Sequence, residues 1–101
     1  MKDEGTFQRE LVEELEKRFE GAIVMKNDPT YIQGIPDLTM LYKNTFVALE
    51  CKRSIEEMKD PRPNQQWYVD EINRMGGLAY FIYPENKEKV LDEISRYVGA
   101  E

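Results

Sequence analysis

Three charged side chains stand where strand residues are expected. Asp37 opens the run "DLTMLY" (37–42), and Glu50 and Lys52 close the run "TFVALECK" (45–52). Lys43-Asn44 joins the two runs, a connection short enough to close a hairpin. Alternate residues of a strand share a face, so Phe46, Ala48, Glu50 and Lys52 point one way and Val47, Leu49 and Cys51 the other. With the turn near 43–44, position 50 falls opposite position 37 or 38, and Asp37 and Glu50 converge. Two carboxylates that close repel, and one takes up a proton unless a cation stands between them. A divalent cation held by Asp37, Glu50 and the peptide carbonyl of Cys51, with water in the remaining positions, removes the conflict. Such a cation makes water more nucleophilic and steadies charge on a phosphate, while Lys52 can orient that water or stabilise the developing negative charge. The plain alternative is an ion pair of Lys52 with Glu50 or Asp37 at a strand end.

The rest of the chain must supply the elements that hold this hairpin. Residues 6–20 carry Phe7, Leu11, Val12, Leu15 and Phe19 at helical spacing, with Thr6 as N-cap and Gly21 as the stop. A short strand, "AIVMKN" (22–27), follows, then the loop "DPTYIQGIP" (28–36) with Pro29, Gly34 and Pro36 as breakers. After the hairpin, "RSIEEMKDPRP" (53–63) is polar and expected to be exposed or mobile. Residues 64–75 form a second predicted helix, with Pro63 at its start and Gly76-Gly77 at its end. The run "LAYFIY" (78–83) suits a buried strand. Residues 84–98 form a last predicted helix, with an apolar stripe of Val90, Leu91, Ile94, Tyr97 and Val98. The expected fold is α/β, in the order α-β-β-β-α-β-α, with a central mixed sheet flanked by helices and a C-terminal helix.

Size and composition bound the chemistry. A chain of 101 residues, 41% hydrophobic and 34% charged, is expected to fold as one domain over 1–101. No apolar run approaches the about 18 residues of a membrane span, and the N-terminus is too polar for a signal peptide. The single cysteine, Cys51, excludes an internal disulfide and fits a reducing compartment. The expected location is the cytoplasm of a bacterial or virus-infected host cell. With no histidine and one cysteine, zinc is not expected, and a metal would take oxygen ligands, as Mg2+, Mn2+ or Ca2+ do. The net charge of −6 argues against nucleic acid at first. Residues 1–20, however, hold seven acids against four bases, and residues 85–101 hold five against three, so the excess sits on the terminal helices.

The ordered set Gly34-Ile35-Pro36-Asp37, Glu50-Cys51-Lys52, "RPNQ" and Gly76-Gly77 resembles the PD-(D/E)XK nuclease superfamily. Within it, the sequence is most similar to small stand-alone VRR-NUC nucleases, many of them viral, and also to Holliday-junction resolvases. The resemblance covers roughly residues 7–84. It implies a restriction-endonuclease-like αβββαβ core and a Mg2+- (or Mn2+-) dependent endonuclease acting on branched or duplex DNA, often as a homodimer. It implies Asp37 and Glu50 as metal ligands and Lys52 as the catalytic lysine. The family also places a glutamine on the helix after the E-x-K strand. Gln65 shares the apolar face with Tyr68, Val69 and Ile72, whereas Gln66 lies with Asp70 and Asn73, so Gln65 is the choice. For the family's first-helix carboxylate, "QRELV" offers Gln8, with Glu10 and Glu14 beside it. Lys26, Lys43, Arg53, Lys59 and Arg62 are candidate phosphate contacts, with Arg53 and Arg62 preferred for flanking the site's elements. Tyr31 and Gln33 precede the motif and are candidate substrate contacts, whereas Trp67 and the aromatics of 80–83 read as core. A non-catalytic DNA-binding or assembly module on the same fold is the alternative function.

Overall fold

A computed structural model describes residues 3–100. Its elements are α1 (Glu4–Arg18), β1 (Ile23–Lys26), β2 (Leu38–Tyr42), β3 (Thr45–Cys51), α2 (Ile55–Met58), α3 (Pro63–Arg74), β4 (Leu78–Ile82) and α4 (Lys87–Val98). The strands lie in the order β1-β2-β3-β4. β1 pairs antiparallel with β2, β2 antiparallel with β3, and β3 parallel with β4. The fold is therefore α/β with a four-stranded mixed sheet, helices on both faces and a helix at the C-terminus. A parallel pair needs a long crossover, and α2 with α3 makes it. Among the described residues no helix is long and apolar enough to cross a membrane.

Strand alternation sorts the sheet into two faces. Leu38, Met40, Val47, Leu49, Cys51 and Ile82 point one way and bury against Phe7, Leu11 and Leu15 of α1 and Val90, Leu91 and Ile94 of α4. A polar seam also ties α1 to α4. Lys87 Nζ meets Glu14 Oε2 at 2.8 Å, and Arg18 donates to Ser95 Oγ at 2.9 Å and to Asp92. On the opposite face, Ala48 of β3 and Ala79 of β4 are small enough for α3 to lie close, through Val69 and Ile72. Asn73 locks α3 to β4: its side chain donates to the Ala79 carbonyl at 3.0 Å and accepts from the Ala79 N–H at 2.9 Å.

Several local expectations are corrected. The first helix is capped by Asp3, whose carboxylate accepts from the Thr6 N–H at 2.7 Å, and not by Thr6. Asp3 lies three residues earlier, so the helix gains most of a turn. The polar stretch after β3 is largely exposed, as expected, but it contains the short helix α2, in a segment where Glu57 holds Arg53 and Glu56 holds Lys59. On α4, Ser95 is buried where Arg18 reaches it, while Tyr97 is 63% exposed and leaves the apolar stripe. Trp67 is 57% exposed, stacked edge-on with Tyr68, because only the stripe through Val69 faces the sheet.

Candidate active site

The hairpin register delivers the two carboxylates. Leu38 pairs with Leu49, so Asp37, one residue before Leu38, lies across from Glu50, one residue after Leu49. The end of β1 fixes the backbone here: the Asn27 N–H donates to the Asp37 carbonyl, and the Asn27 side chain donates to the Pro36 carbonyl, both at 2.9 Å. The Asp37 side chain is held from β3, since the Cys51 N–H donates to its Oδ2 at 2.8 Å. Pro36 is fully buried, which makes the entry to β2 stiff as well as bonded.

Glu50 is only 4% exposed. Burial, then the facing charge of Asp37 and a hydrogen bond shared with it, pushes the Glu50 carboxyl up to about 9, against the pull of Lys52. The Cys51 thiol points into the opposite core, where burial and then the charge of Asp37 hold it well above its usual range. Cys51 thus meets the site only through its main chain.

The start of α3 closes the constellation. Gln65 Nε2 donates to Glu50 Oε2 at 3.1 Å, and Gln65 Oε1 accepts from Lys52 Nζ at 2.8 Å. The same oxygen takes the Arg62 N–H at 3.3 Å, which seats the side chain on its own helix start. One amide therefore bridges the acid and the lysine, donating to one and accepting from the other. Gln66 instead donates to Asp70 at 2.9 Å on the outer side. Lys52 is placed by its own backbone, whose N–H continues the parallel ladder to the Ile82 carbonyl at 2.9 Å.

These groups line two adjoining depressions of about 380 and 410 Å³, which share Pro29, Asp37, Glu50, Arg62 and Gln65. The loop residues Gln33, Gly34 and Ile35 wall the first. Glu4, Lys52, Glu57 and Asp60 line the second. Glu4 is the first-helix acid at the site, and burial, then the charges of Asp37 and Glu57, raises its carboxyl. The candidates expected from the sequence lie four to ten residues further along α1. Gln8 is buried beside Lys26 in another depression, Glu10 lines one with Phe7 and Arg53, and Glu14 binds Lys87. The signal that finds Glu4 is Asp3, the stronger cap, which starts the helix before Thr6. Asn27 was also missed, and its mark in the sequence is an amide at the end of the strand beside G-x-P-D.

The candidate DNA contacts separate. Arg62 and Gln33 line the carboxylate cleft, and Tyr31, 86% exposed, lies on the loop that walls it. Arg53 is paired with Glu57 at 2.8 Å and opens toward the Phe7 depression. Lys59 is paired with Glu56 at 2.9 Å. Lys26 lies beside α1, and Lys43 sits at the hairpin turn, at the far end of β2 from Asp37, over the Tyr42 ring.

Among the described residues no three His, Cys, Asp or Glu side chains stand as a ligand cluster. The side-chain offer to a cation is Asp37 with Glu50. No family model, curated protein or solved structure matches the chain.

Proposed function

We propose that the protein is a divalent-metal-dependent DNA endonuclease that hydrolyses phosphodiester bonds in branched or otherwise structured DNA, such as four-way junctions, and works as a homodimer. The observation that carries this is the chain of contacts Asp37–Glu50–Gln65–Lys52 at one end of the sheet. The G-x-P-D and E-x-K order of the sequence, and its resemblance to PD-(D/E)XK nucleases, support the same reading.

A hard divalent cation fits the donors. Burial, then the facing charge of Asp37, pushes the Glu50 carboxyl up to about 9, and a cation held by the pair would take the place of the proton. The candidate ligands are all oxygen: one carboxylate each from Asp37 and Glu50, the Cys51 carbonyl and solvent, which suits Mg2+ or Mn2+. When bound, the ion supplies Lewis-acid chemistry, neutralising phosphate charge and acidifying water.

The chain's own residues do the rest. Cys51 N–H keeps Asp37 turned toward Glu50, and Gln65 keeps Glu50 turned toward Asp37. Lys52, steered by Gln65, holds a positive charge at the cleft beside the carboxylates, where a phosphate gains negative charge as water adds and the P–O bond breaks. Arg62, on the shared wall, is available to a neighbouring phosphate.

The test is incubation of the protein with Mg2+ or Mn2+ and a panel of duplex, flap and four-way-junction DNA. Metal-dependent cleavage, lost in Lys52→Ala with metal binding retained, is the expected result. Folded protein that binds the ion and DNA but cuts nothing would leave a non-catalytic module on this fold, and folded protein that binds no divalent ion would leave Glu50, Gln65 and Lys52 as a structural hydrogen-bond network.

A further inference from the structure

The loop that walls the cleft is built, not slack. The Thr30 N–H and hydroxyl both donate to Asp28 Oδ1, at 2.9 and 2.6 Å. The N–H groups of Tyr31 and Ile32 turn back to the Asp28 carbonyl at 3.1 and 3.4 Å, and that of Ile35 to the Ile32 carbonyl at 3.3 Å. Gly34, at φ +86°, lies so near α3 that a Cβ there would stand 2.4 Å from the Asn64 Cβ. Yet this pinned loop presents Tyr31 86% exposed and Ile32 39% exposed. Among the described residues the Tyr31 ring makes no ring contact or hydrogen bond. Pro29 and Gln33, two residues to either side, both line the depression that holds Asp37 and Glu50. The exposed ring therefore stands on the loop that borders the site.

The charges around the site are the second observation. Lys52 and Arg62 are its cations, against Glu4, Glu57 and Asp60 beside the central pair. Duplex DNA is gripped mainly through cationic contacts to many phosphates. Two cations in an acidic rim make a poor duplex clamp. Stacking on an aromatic ring is the non-ionic alternative, open to any base but only where the base is out of the duplex.

We propose that Tyr31 is the stacking platform for an unpaired nucleobase next to the phosphate that enters the Asp37–Glu50 cleft, so that the substrate class is DNA with unpaired nucleotides beside the cut: flaps, gaps and open junctions. This rests on the nuclease reading of the cleft and deepens it, since the ring selects by access to a bare base and not by sequence. Tyr31 is fully outside the core, and its replacement leaves the fold intact.

The experiment uses two oligonucleotides of one sequence, a flap with 2-aminopurine at an unpaired position beside the branch and a fully paired duplex. Binding is followed by anisotropy and by 2-aminopurine fluorescence, with Ca2+ in place of Mg2+. Wild type and Tyr31→Phe should quench the flap probe. Tyr31→Ala should lose the quench and bind the flap about tenfold more weakly, with its weak duplex binding unchanged. Equal loss on flap and duplex, or an unchanged quench, overturns the stacking role alone. Failure of the wild type to bind any DNA in the presence of the ion overturns the cleft's nuclease reading and this inference with it.

Discussion

Glu50 is the residue whose proton reports on the site. Its carboxyl is pushed up to about 9 in the fold by burial and by Asp37, whereas in the unfolded chain it ionises near 4.5. Between those values the native state holds a proton that the unfolded state has lost. By linkage, this group's contribution to stability is present below about 4.5 and falls as pH rises toward 9. The metal-free protein should therefore lose thermal stability from pH 6 to pH 8.5, and Glu50→Gln should flatten that slope and raise Tm at pH 8 by roughly 5 °C. On the proposed metal binding, a divalent ion should reverse the sign for the wild type, because the ionised pair would hold it and its stabilisation would grow with pH. Melting curves with and without chelator check both, and wild-type stability that rises with pH in chelator would contradict the placement of Glu50. Gln65 gives a separate forecast. Gln65→Glu replaces a donor to Glu50 with a third charge, and metal-dependent cleavage should fall about 100-fold, while Gln66→Glu, on the outer side with Asp70, should cost little.

At the scale of elements, the start of α3 and the loop before β2 act as one piece. Gly34→Ala tests this. The residue sits at φ +86°, where a side chain costs about 1–2 kcal/mol, and its Cβ would press on Asn64. Loop and helix must separate, which moves Gln65 off Glu50 and Lys52. The expected result is a loss of about 2 kcal/mol or more in stability and a larger loss of cleavage. Asn64→Gly should return part of the activity in the double variant, because the nearest clash is Cβ to Cβ. The elements themselves were largely legible. Hydrophobic period marks α1, α3 and α4, and the apolar runs around Lys43-Asn44 mark the hairpin whose register places Asp37 against Glu50. Gln65 was reachable because helical spacing separates it from Gln66. Glu4 was harder to reach, because Asp3 is the stronger cap but Thr6 stands nearer the apolar period, and the bond from Thr6 N–H to Asp3 decides between them. Trp67 was misplaced for a related reason. Period fixes which residues share a face, but not how wide a stripe the sheet covers, and the contacts through Val69 and Ile72 leave the indole outside.

At the scale of the molecule, one sheet face is only partly covered. α3 packs over β3 and β4, while Ile23 and Met25 of β1, Leu41 of β2 and Phe46 of β3 stay exposed on that side, at 59%, 41%, 43% and 41%. Ile23 pairs with Leu41 and Leu41 with Phe46, so three of them form one cross-strand row. Contiguous exposed apolar side chains in a small domain mark an association surface. The chain carries a net charge of −6, so two copies repel and meet most easily where neither presents a charge. An uncharged row on an isologous two-fold satisfies that condition for the proposed homodimer, because the same patch serves both copies. Salt should strengthen the dimer, since it screens the repulsion and leaves apolar burial in place. Leu41→Glu puts a charge in the middle of the row and should give a monomer in sedimentation, with secondary structure and metal binding intact, because Asp37 and Glu50 lie at the other end of the hairpin. If paired sites are what cut both strands of a junction, that monomer should nick a four-way junction without resolving it, yet cleave a flap at close to the wild-type rate. A wild-type chain that sediments as a monomer at every concentration, with and without DNA, would remove the dimer and leave single-strand cleavage as the unit of activity.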